Sequence, residues 1–141
     1  MDETRPSDSE LRKRWRLMWL QCVQEMSDLD QQKTFWLDPT NTNPHWSFVE
    51  YSCGYFDDCW LSDHDGGYQR KLAQGWMNDE EIAAVREWHR LFKTYRPPGG
   101  DDYNDKAILE DPKWLEVVRL AGEARQCLAR ILSDEQELRA L

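Results

Sequence analysis

Apolar residues along this chain recur mostly in steps of three and four, the spacing of an amphipathic helix. Leu11, Trp15, Met18, Cys22 and Met26 follow steps of 4, 3, 4 and 4, with Trp19 and Leu20 widening the stripe. Ser7 or Ser9 is placed to cap this first helix, which runs to about Ser27. A second stripe joins Ile82, Val85, Trp88, His89, Phe92 and Tyr95. Asn78 and Glu81 precede it in the spacing of a capping box, and Pro97-Pro98-Gly99-Gly100 stops it, so a helix is predicted over 79–95. A third begins where Asp111 caps and Pro112 takes the first helical position. Its apolar face is Trp114, Val117, Val118, Ala121, Ala124, Leu128, Ile131 and Leu132. Ser133 with Gln136 opens a short last helix, a short helix is predicted near 68–74, and one helical turn at 106–109.

Two stretches read less regularly. Residues 28–45 carry the breakers Asp38-Pro39, Asn41, Asn43 and Pro44 and are predicted as a loop. Residues 47–61 fit two periods. Val49, Cys53, Phe56 and Trp60 step 4, 3, 4, whereas Val49, Tyr51, Cys53 and Tyr55 alternate as a strand would. Ser47 is a helix cap and no partner strand is evident elsewhere, which favours a helix with Gly54 as its weak point. The expected fold is mainly α: a single-domain helical bundle of about four principal helices, with a long structured connection between the first two or three. Residues 1–8 are expected to be a flexible N-terminus and 9–141 one helical domain.

Charge changes this picture because it is unevenly placed. The net charge of −9 is spread over 141 residues, yet residues 28–66 alone hold eight acids and one base, Lys33. Within them, residues 45–66 contain no Lys or Arg, five carboxylates (Glu50, Asp57, Asp58, Asp63, Asp65) and six large aromatics. Such a stretch argues against nucleic-acid binding, which draws its affinity from cations on phosphate, and against docking on an anionic membrane. No run of eighteen apolar residues exists and the start of the chain lacks a signal-peptide apolar region, so a cytoplasmic location is expected. In that setting the four cysteines (Cys22, Cys53, Cys59, Cys127) are expected as reduced core residues, and their spacing matches no zinc site. Arg12, Lys13, Arg14 and Arg16 crowd the first helix near its positive end, where cations are disfavoured. They serve either as a solvated basic turn or as partners for the chain's own acids.

Candidate chemistry is sparse. Glu87-Trp88-His89 lacks the Glu-x-x-His spacing of di-iron bundles. Neighbouring carboxylates such as Asp57 and Asp58 diverge by about 100° on a helix and make a poor acid–base pair. His89, on an apolar face, is expected as a hydrogen-bonded core residue. If residues 47–61 are helical, Val49, Cys53, Phe56 and Trp60 turn inward. Glu50, Asp57, Asp58 and the turn at Asp63 and Asp65 then stay outside, with Tyr55 beside them.

A short, acidic, Trp-rich chain with such a segment resembles bacterial immunity proteins, which bind and neutralise toxin domains, many of them basic nucleases. The resemblance rests on Glu50, Tyr55, Asp57, Asp58, Trp60, Asp63 and Asp65, and it covers overall character rather than a motif. It implies a non-enzymatic protein without cofactor or metal, whose carboxylates take the places of substrate phosphates on a basic toxin. Two other readings stay open. One is a small metal-dependent hydrolase using Asp57, Asp58, Asp63, His64 and Asp65. The other is a homo-oligomer with aromatics at a self-interface.

Overall fold

The computed structural model describes residues 6–40 and 46–141. Among these the chain is mainly helical, with no strand and eight α-helices: α1 (Asp8–Met26), α2 (Leu29–Trp36), α3 (Phe48–Cys53), α4 (Gly67–Ala73), α5 (Asp79–Thr94), α6 (Asp105–Glu110), α7 (Pro112–Ile131) and α8 (Glu135–Ala140). Three of these are long: α1, α5 and α7. The fourth principal helix, expected over 47–61, is broken after Cys53.

Side chains cap these helices where the sequence placed polar residues. Ser7 accepts from Glu10 N at 3.1 Å, so helix begins at Asp8, inside the stretch expected to be flexible; residues 1–5 lie outside the described residues. Asn78 and Glu81 form the full capping box of α5. Asp111 caps α7, and Pro112 opens it. The last helix is capped one residue later than expected, by Asp134 rather than Ser133, because the Asp134 carboxylate accepts from Glu137 N.

α7 is the central element, packing against α1, α5 and α6, while α1 also contacts α2 and α8. The inner faces of α5 and α7 are those the stripes predict: Ile82, Val85, Trp88 and Phe92 meet Trp114, Val117, Val118, Ala121, Ala124 and Leu128 in one apolar core. α1 is rotated from expectation. Its buried face is Trp15, Arg16, Trp19, Leu20, Val23 and Met26, and Leu11 and Met18 are exposed. Arg16 turns inward because Glu81 and Glu137 wait there. Its guanidinium donates to both carboxylates, at 2.5–3.1 Å, and to Trp76 O at 2.7 Å. Burial alone would pull this guanidinium down, but the bonds and charges of the two glutamates outweigh it and hold it well above its usual range. Arg12 donates to Gly75 O. Two members of the basic cluster are thus used inside the fold.

The stretch 28–45, expected as a loop, contains α2; Asn41, Asn43 and Pro44 lie outside the described residues. The missed signal is Gln32, a polar residue with no exposure in the core. Its amide nitrogen donates to Glu25 O and Met26 O, capping the end of α1, and its carbonyl accepts from Trp114 Nε1 at 3.0 Å. One amide therefore ties α1, α2 and α7 together. All four cysteines are free thiols, but only Cys59 is buried. Cys53 is exposed, and Cys22 and Cys127 are half-buried.

Candidate functional site: an acidic edge around Trp60

Residues 47–61 are helical only in part, and their inner face differs from the predicted stripe. Ser47 caps α3 by accepting from Glu50 N. The buried positions are Phe48, Tyr51, Tyr55 and Cys59, rather than Val49, Cys53, Phe56 and Trp60. After Cys53 the chain makes a π-helical turn, Gly54–Asp58, in which Cys59 N donates to Gly54 O and Leu61 N to Phe56 O. That turn begins at Gly54, where helix propensity is lowest.

Tyr55 is accordingly not beside the acids at the surface. It has no exposure, and its ring lies against Phe56, Trp88 and Phe92. Its hydroxyl belongs to a buried chain of hydrogen bonds. Trp19 Nε1 donates to Tyr68 Oη, the Tyr68 and Tyr55 hydroxyls bond each other, and Tyr55 Oη lies 2.7 Å from His89 Nδ1. Because the indole can only donate, the run of donors that satisfies every group ends with Tyr55 donating to a neutral imidazole. Burial, followed by the charge of Lys93, pulls His89 down to about 4 against a weaker opposing pull from Asp63, consistent with that neutral form. Burial pushes both tyrosines up. His89 is thus hydrogen-bonded, as the sequence suggested, but half-buried rather than a core residue.

Trp60 does the reverse of what its stripe predicted. It is 56% exposed and has φ +53°, the one non-glycine positive φ among the described residues. Its neighbours force this. Cys59 is buried and its carbonyl accepts from Trp15 Nε1 at 2.7 Å; Leu61 is buried and its N–H is held by Phe56 O. The residue between two such anchors must turn the chain out of the helix through the left-handed region, a position glycine usually fills. A side chain there costs roughly 1–2 kcal/mol.

Acids flank this exposed ring. Asp57 and Asp58 are exposed at the end of the π-turn. Glu50 joins them on the same side: after burial, the carboxylates of Asp57, Glu50 and Asp58 are what raise the Cys53 thiol. Asp63 and Asp65 follow in a 3-10 turn, Asp63–Asp65, capped by Ser62. Asp63 pairs with Lys93 at 3.2 Å, an exposed bridge of little energetic weight, and Asp65 accepts from the Ser62 hydroxyl. Glu50 also borders a cleft of about 160 Å³ with Asp102, Asp105 and Tyr103, whose ring is 82% exposed. From the sequence Asp102 and Tyr103 belong to a polar loop, with Asp101 and Asp102 as a poor acid–base pair; the structure sets them beside Glu50, where they repeat the pairing of acid and aromatic. Asp57, Asp58, Asp63, His64 and Asp65 do not converge as ligands; among the described residues no group of three or more His, Cys, Asp or Glu side chains is placed to hold a metal ion.

The inner face of Trp60 has its own partner. Lys71 of α4 is 1% exposed, and its ammonium lies 5.4 Å from the Trp60 ring, 5.3 Å from Trp15 and 5.1 Å from Trp76. Nothing in the sequence marked this lysine, because α4 is too short to show a face.

No known protein family, curated protein or solved structure matches the chain. No helix among the described residues is long and apolar enough to cross a membrane.

Proposed function

We propose that the chain is a non-enzymatic acidic binding protein, an inhibitor of the immunity type, which covers the basic face of a partner such as a toxin domain. Trp60 carries this reading. A large aromatic held exposed, in a backbone conformation that costs energy, with Asp57 and Asp58 just before it in the chain and Asp65 lining the same cleft, is what a binding anchor requires. The ring supplies contact area and the carboxylates supply steering and register. Tyr55 drops out of the proposed surface, and Tyr103 and Asp102 extend it along Glu50. The same acids disfavour nucleic acid and anionic lipid, and a cytoplasmic setting suits such an inhibitor.

The test takes the product of the reading frame beside this gene, if basic, and measures binding by calorimetry at low and high salt. Affinity should fall with salt. Asp57→Lys with Asp58→Lys should weaken it by roughly 100-fold or more, as expected for reversing charges that face a basic surface. Trp60→Ala should weaken it by about 2 kcal/mol, as for an aromatic hot spot. Unchanged affinity in the double reversal would remove the proposed edge.

A further inference from the structure

The Lys71 ammonium is a buried charge without a matching anion. Among the described residues its one hydrogen bond is a 3.4 Å donation to Gln74 Oε1, and no carboxylate lies within 4 Å of it. Three indoles surround it. Their faces attract the cation but leave most of its N–H capacity unfilled. Trp76 Nε1, in the same cage, is also buried with no partner among the described residues. Burial, and then Arg70, pull the ammonium's pKa down, against a weaker pull upward from Asp65. The second of these causes, Arg70, places like charge beside the ammonium.

This lysine lines a cleft of about 250 Å³ with Trp60, Asp65, Arg70 and Gln74. The two cage walls on the inner side, Trp15 and Trp76, are buried and fixed. The outer wall is the exposed Trp60. We propose that this cleft is a binding site for a small aromatic carboxylate, with Lys71 and Arg70 receiving the carboxylate and Trp60 stacking on the ring. Three features select that class. Arg70 presents a planar fork that matches a carboxylate. The cleft lies below the ~300 Å³ of ordinary ligand pockets, room for one ring and its acid group. Asp65 in the same wall opposes a dianion such as phosphate more than it opposes a monoanion. The cleft carries a local excess of one positive charge on a molecule that is strongly negative overall.

The experiment is a titration of the whole chain with sodium benzoate. It is followed by the indole N–H resonances of Trp15, Trp60 and Trp76, with sodium acetate and inorganic phosphate as parallel arms. Benzoate should bind saturably with a dissociation constant of about 1 mM, a fragment-like value. Acetate should bind more weakly for lack of the ring, and phosphate more weakly because of Asp65. Lys71→Met and Arg70→Gln should each weaken benzoate by roughly tenfold or more, the loss of one charge-assisted hydrogen bond. Arg70 is exposed, so Arg70→Gln keeps the fold even if Lys71→Met does not. No saturable benzoate binding, binding indifferent to Arg70→Gln, or phosphate bound more tightly than benzoate would each overturn the assignment. Benzoate binding needs no protein partner, and Asp57→Lys with Asp58→Lys leaves the lining residues intact, so this proposal and the proposed function fail separately.

Discussion

Acidification should destabilise this fold through His89. The unfolded imidazole titrates at 6.5 and the folded one at about 4, because burial and Lys93 oppose its charge and Tyr55 needs its Nδ1 as an acceptor. Between those two values the unfolded chain binds a proton that the folded chain refuses. The stability this group protects is therefore complete above 6.5, falls as the pH drops towards 4, and changes no further below that. The full span amounts to roughly 3 kcal/mol, and the part lost between pH 7.5 and 4.5 to about 2.5 kcal/mol. Protonation also reverses the hydrogen-bond chain. A charged imidazole donates to Tyr55, Tyr55 then donates to Tyr68, and the Tyr68 proton meets only the donor Trp19 Nε1. His89→Gln keeps an acceptor and removes the titration. Glu25, whose carboxyl burial raises, is common to both proteins and cancels in the comparison. Urea unfolding by tryptophan fluorescence at pH 7.5 and 4.5, on both proteins, isolates the histidine as a difference of differences. A value near 2.5 kcal/mol is expected. A value under about 0.5 kcal/mol, or an imidazole that titrates near 6.5 by NMR in the folded protein, would refute the reasoning.

Gln32→Leu should cost about 3 kcal/mol and lower the melting temperature, since it leaves Trp114 Nε1 and two carbonyls at the end of α1 unpaired. Arg16→Met should cost roughly 3–5 kcal/mol by stranding the buried Glu81 and the half-buried Glu137. The triple variant Arg16→Met, Glu81→Leu, Glu137→Leu should recover most of that loss in the same denaturation assay, because apolar groups need no counter-charge.

Much of the fold was legible in local chemistry. Caps at Ser7, Ser47, Asn78 and Asp111, the proline opening α7 and the stripes of α5 and α7 depend on neighbours within a few residues, so the chain specifies them before it folds. So too does the concentration of acid between residues 28 and 66. The facing of α1, the existence of α2 and the position of Trp60 are of another kind. Arg16 counts as an outward residue until Glu81, 65 positions away, and Glu137, 121 away, are brought to it. Gln32 looks like a loop residue until the end of α1 and Trp114 need its amide. Trp60 reads as an inward step of a regular helix. It faces out because the buried stripe runs through Tyr55 and Cys59 instead, and because Cys59 and Leu61 are held on either side. Lys71 shows no signal at all, since its burial depends on indoles 56 residues before it, 11 before it and 5 after it. Sequence alone determined most of the helical segments, α2 excepted, and where negative charge gathers. Tertiary packing decided which side chains that charge surrounds, because a polar group's place depends on partners that only folding brings near.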